Sequence, residues 1–129
     1  MNRNSKPKNF FPQTYSELLR IGKDESKTAE VINEIKSFVE RYGRNITTSQ
    51  LRNIYSKITS LNDDNISGLQ LVRPKLAYIA ARQKNRQARE FIGFMDEMVS
   101  KIEDAGQFRS FKIFFESVVA YHKYYHDKR

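Results

Sequence analysis

The chain has 129 residues, one domain's length, with 39% hydrophobic and 29% charged residues, which is enough to bury one core without disulfides or metals. It contains no cysteine, which excludes disulfides, thiolate metal sites and cysteine nucleophiles, and no apolar run approaches the roughly 18 residues that a membrane span needs. The net charge is +8, a surplus that points to a polyanionic partner.

Residues 1–26 read as a separate N-terminal segment. Lys6, Pro7, Lys8, Asn9, Pro12 and Gly22 are poor material for a packed element, although Tyr15, Leu18 and Leu19 suit a short helix over 14–21. The Phe10–Phe11 pair is expected to dock on the domain or on a neighbour. Met1 to Pro7 lack the apolar stretch of a signal peptide, and with the missing cysteines this predicts a cytoplasmic protein.

From 27 to 129 the hydrophobic period is helical and predicts one bundle domain. The first helix carries Val31, Ile32, Ile35, Phe38, Val39 and Tyr42, with Gly43 as a left-handed stop. The second opens at Thr47, whose Gln50 three residues on completes a capping-box pattern, and it buries Leu51, Ile54, Tyr55 and Ile58. The third starts near Asn65, and Leu69, Val72, Leu76, Ile79 and Ala80 keep one phase across Pro74, which predicts a single helix kinked there. The fourth carries Phe91, Ile92, Met95, Met98, Val99 and Ile102 and stops near Gly106. The fifth carries Phe108, Phe111, Phe115, Val118, His122 and Tyr125. The predicted fold is all-α, a compact bundle of about five helices.

No motif for catalysis is present. There is no Gly-rich phosphate loop and no serine elbow. His122 and His126 stand one helical turn apart, but two imidazoles need further metal ligands, and His122 falls on the apolar stripe, so a core role is the simpler reading. His126 and Asp127 are expected in a fraying C-terminus. Asp63–Asp64 reads as a polar pair at a helix start and offers too few carboxylates for a metal-dependent nuclease. No catalytic residue, metal ligand or cofactor is assigned.

The basic residues are unevenly placed. Arg41, Arg44, Arg52, Lys57, Arg73, Lys75, Arg82, Lys84, Arg86 and Arg89 face only two acids in the same stretch, Asp63 and Asp64, so these residues carry 10 − 2 = +8. The other 23 − 10 = 13 basic and 15 − 2 = 13 acidic residues cancel. Lys75, Tyr78 and Arg82 recur at i, i+3 and i+7 beside the buried stripe, and two cations flanking a tyrosine suit a phosphate chain with a base or ribose packed on the ring. Arg89 extends that face if the helix runs on. Arg41, Arg44 and Arg52 are positioned to surround the start of the second helix, whose amides favour an anion. Among Tyr121, Tyr124 and Tyr125 at least one must be exposed. Two further readings stay open: a helical DNA-binding regulator with the second helix as recognition helix, and a scaffold that binds only protein.

Three segments resemble a known family. They are Ile46-Thr47-Thr48-Ser49-Gln50-Leu51-Arg52-Asn53-Ile54-Tyr55, Leu71-Val72-Arg73-Pro74-Lys75-Leu76-Ala77-Tyr78, and Phe114-Phe115-Glu116-Ser117-Val118-Val119-Ala120-Tyr121-His122-Lys123-Tyr124-Tyr125. In content, order and spacing they resemble the small helical subunit of type III-A CRISPR effector complexes, over about residues 27 to 126. The resemblance implies a non-catalytic helical bundle in a ribonucleoprotein for antiviral defence. It implies that several copies stack beside the backbone subunits and the large polymerase-like subunit, lining the guide RNA–target RNA duplex, or single-stranded RNA, without reading sequence. It gives an RNA-contact role to Arg52, Lys75 and Arg82, whereas Arg41, Arg44, Arg73, Arg86 and Arg89 are supported by charge alone. Sequence would then be read by base pairing, and the protein would sense only backbone and helix shape.

Overall fold

The structure, a computed structural model, describes residues 25–126. The helix expected over 14–21, the Phe10–Phe11 pair and Asp127 lie outside the described residues. Six helices follow one another: α1 Glu25–Tyr42, α2 Thr48–Thr59, α3 Ile66–Gln70, α4 Arg73–Arg82, α5 Arg86–Ser100 and α6 Ala105–His126. The fold is all-α, with no strand among the described residues. The helices pack as α1 and α2 on α6, α1 and α3 on α5, and α4 on α5.

A chain of aromatic rings joins these helices. Phe38 of α1 stacks on Phe91 of α5 at 4.9 Å and lies 5.1 Å from Phe94, which reaches Phe114 of α6 at 6.2 Å. Phe111 contacts both Phe114 and Phe115, and Tyr55 of α2 stacks on Phe115 at 6.3 Å. Burial, and then the Glu116 carboxylate, push the Tyr55 phenol above its ordinary pKa. The helix stripes expected from the sequence are core: Val31, Ile35, Phe38 and Val39; Leu51, Ile54 and Ile58; Phe108, Phe111, Phe115 and Val118. Helix α5 buries more than one stripe, since Phe94 is as enclosed as Phe91 and Met95. Phe94 lies against Phe38 of α1 and Phe114 of α6, and α4 and α3 pack on α5 as well.

The ends of the elements differ from expectation in four places. Gly43 does end α1, its amide donating to Val39 O at 2.9 Å, but its backbone is not left-handed. Glycine is needed because a Cβ would stand 2.8 Å from Val39 O and 3.2 Å from the His122 ring. The expected kinked third helix is divided into α3 and α4 by the turn Leu71–Val72. Both turn residues keep helical dihedrals, which is why the apolar phase carries through, and Pro74, with no amide to donate, sits in the first turn of α4 where none is required. Asn65, not Asp63 or Asp64, caps α3, its side chain accepting from Gly68 N at 2.9 Å. Gly106 ends nothing: α5 finishes at Ser100, and Gly106 lies in the first turn of α6.

The capping box of α2 is formed as expected. Thr47 Oγ1 accepts from Gln50 N at 3.0 Å, and Gln50 Oε1 accepts from Thr47 N at 3.0 Å. His122 is buried on α6 and ties the loop before α2 to the core. Its Nε2 donates to Gly43 O, which leaves Nδ1 to pair with Thr48 Oγ1, both at 2.9 Å. His126 is held as well, Nε2 donating to Val39 O at 3.0 Å, so its side chain is anchored on α1 rather than frayed.

Candidate nucleic-acid interface

Helix α4 presents the face that its sequence spacing predicts. Leu76 is its buried anchor against α5, and Lys75, Tyr78 and Arg82 are exposed. Tyr78 is 64% exposed, with the Arg82 guanidinium 5.7 Å from its ring centroid. Such a cation over an aromatic face is a modest attraction that pre-orders both groups. Neither Lys75 nor Arg82 has a carboxylate partner among the described residues. The sequence reading missed Leu71, which is 72% exposed in the turn just before α4. It also gave no role to Lys84, which is exposed just beyond Arg82 in the turn to α5. Helical spacing from Tyr78 back through Pro74 to Leu71 was the available signal for the first. Position next to Arg82 was the signal for the second.

The other sequence candidates divide by what they touch. Arg73 Nε bonds Asp96 Oδ1 at 2.8 Å and its Nη1 lies 3.4 Å from Gln70 Oε1, so it braces α4 against α5. Arg86 pairs with Glu90 one turn on, at 3.1 Å. Arg89 stands on α5, not on an extension of the third helix, because the chain turns at Gln83. Its Nη1 donates to Gln83 O at 2.8 Å, which holds it against the end of the helix that carries Arg82. Arg52 is exposed on α2, without a hydrogen bond or ion pair among the described residues. Arg41 lies 6.0 Å from the Tyr42 ring, and Arg44 lines a cleft with Glu40, Tyr125 and His126. Arg52 stands on α2, which packs on α6, and the Lys75–Arg82 face stands on α4, which packs on α5.

Two cations outside the basic stretch are used internally. Lys112 Nζ donates to Leu61 O and to Asp63 Oδ1, both at 2.7 Å, and Arg109 Nη1 donates to Asp63 Oδ2 at 3.2 Å. These bonds, Lys112's first, hold the Asp63 carboxyl below its usual pKa. Asp63 therefore fixes the loop 61–65 to α6 and does not neutralise the basic stretch it sits in. Among the described residues there is no cluster of three metal-ligating side chains, and no helix is long and apolar enough to cross a membrane.

The family model for Csm2 of type III-A matches residues 22–128, nearly the whole chain. The chain belongs to the Csm2 family. It is thus a small structural subunit of the type III-A CRISPR Csm effector complex, working alongside that complex's other subunits. The Csm2 match spans all six helices, the α4 face and the Arg52 helix included. No curated protein and no solved structure matches the chain.

Proposed function

We propose that the chain is a non-catalytic, cytoplasmic RNA-binding subunit that lines the guide RNA–target RNA duplex of the Csm complex through sequence-independent backbone contacts. Lys75, Arg82 and Arg52 bind phosphates, and Tyr78 packs on ribose or base. Arg41, Arg44, Arg73, Arg86 and Arg89 add to the positive field. Further copies of the chain, the backbone subunits and the large polymerase-like subunit are its neighbours. The observation that carries this reading is the exposed Lys75–Tyr78–Arg82 face, where a tyrosine lies under one cation and near a second that no carboxylate among the described residues neutralises. Phosphate contacts of this kind give affinity without sequence information.

The test is a comparison of the purified protein on labelled single-stranded RNA and duplex DNA of equal length. Preference for RNA is the expected result. Tighter binding to duplex DNA would replace this reading with a helical DNA-binding regulator. Absence of binding to either at low salt would replace it with a scaffold that binds only protein.

A further inference from the structure

The last turns of α1 and α6 lie together, held by the bond from His126 Nε2 to Val39 O. Beside that bond a cleft of about 570 Å³ opens, lined by Glu40, Arg44, Tyr125 and His126. Its size is that of a small-molecule site, roughly 300–1,000 Å³. Its walls combine three chemistries. Tyr125 and His126 form an aromatic wall, their ring centroids 6.1 Å apart. Arg44 supplies a planar, two-pronged donor, and Glu40 supplies an acceptor.

Glu40 is in the last turn of α1 and Arg44 in the turn just beyond its end, so the two opposite charges are not placed on one helix face. They do not pair. Neither makes a hydrogen bond or ion pair among the described residues, although both face the same cleft. Holding the two charges open around an aromatic wall suits a ligand that carries an anion at one end and adjacent N–H donors at the other. A nucleotide is such a ligand: its base stacks on an aromatic ring and its phosphate takes the guanidinium fork. Among the four RNA bases, guanine places two N–H donors side by side on its pairing edge, N1–H and the N2 amino group. These match the two acceptor oxygens of one carboxylate.

We infer that the Glu40–Arg44–Tyr125–His126 cleft binds a guanine nucleotide, with Tyr125 stacked on the base, Glu40 accepting from its pairing edge and Arg44 on its phosphate. The ligand is guanosine monophosphate chemistry, whether free or as one nucleotide of an RNA strand. The inference does not rest on the α4 face, which none of these residues joins.

The experiment is calorimetric titration of the full chain at high salt, where backbone contacts are suppressed. The ligands are guanosine monophosphate, adenosine monophosphate, guanosine, and two short uridine oligonucleotides that carry a single central guanine or adenine. Glu40→Gln and Arg44→Ala are titrated in parallel, and circular dichroism checks that both exposed-site variants keep their helices. Guanine ligands should bind about tenfold tighter than their adenine counterparts. Glu40→Gln should abolish that preference, and Arg44→Ala should reduce the monophosphate to the affinity of guanosine. Preference seen with the mononucleotide assigns a free nucleotide, and preference seen only with the oligonucleotide assigns a strand. Equal binding of guanine and adenine in both formats, or no heat with any ligand, would overturn the inference.

Discussion

His122 on α6 and Thr48 at the start of α2, 74 residues apart in sequence, share a buried hydrogen bond of 2.9 Å. The same ring donates to Gly43 O, so one side chain satisfies two groups that the α1–α2 connection buries. Removing it leaves Thr48 Oγ1 without a partner and Gly43 O with only the bond from Ile46 N at 3.2 Å, and an orphaned buried group costs about 1–3 kcal/mol. His122→Phe, which keeps an aromatic of similar bulk, should destabilise the bundle by about 2–4 kcal/mol in urea unfolding. Thr48→Val should recover part of that loss when combined with it, because the hydroxyl is then no longer stranded.

Gly43 sits where the same connection passes closest to α1. Its would-be Cβ meets a backbone carbonyl oxygen, which cannot swing aside as a side chain could. Gly43→Ala should therefore cost roughly 1–3 kcal/mol by denaturation, even though alanine ordinarily stabilises a chain relative to glycine. An unchanged midpoint would show that the connection has room to move.

Asp63 makes stability depend on acid pH. Its folded pKa is lowered by Lys112 first and Arg109 next. A carboxylate with a lowered folded value stabilises the fold above its unfolded pKa of about 4 and loses that contribution as pH falls through the folded value. Asp63→Asn should lower stability at neutral pH and flatten the decline below about pH 4. The check is the unfolding midpoint of both proteins across an acid series.

Tyr78 separates stacking from charge. It is exposed and no part of the core, so Tyr78→Ala should leave thermal unfolding almost unchanged. It should weaken single-stranded RNA binding by about 1–3 kcal/mol without altering the salt dependence, since stacking releases no counterions.

The helices were legible because their apolar residues recur every three or four positions, and because Thr47 and Gln50 announce the start of α2 by chemistry local to four residues. Boundaries that depend on distant partners were not. The role of Asp63 is set by Lys112 and Arg109, about fifty residues away, so a polar pair in a turn looked like a cap. The need for glycine at 43 comes from Val39 O first, with the His122 ring and Phe91 closing the space behind it, and the anchoring of His126 comes from Val39. The α4 face could be read because its three residues lie on one helix. The cleft could not, because Glu40 and Tyr125 meet only when α1 and α6 pack.

The most direct test of RNA contact through α4 is the salt dependence of RNA affinity for the wild-type chain and for Lys75→Ala/Arg82→Ala. Each phosphate contact on single-stranded RNA contributes about 0.7 to the slope of log affinity against log salt. The double variant should bind more weakly at low salt, with a slope shallower by about 1.4. Identical slopes and affinities would show that this face does not touch RNA, and would contradict the account.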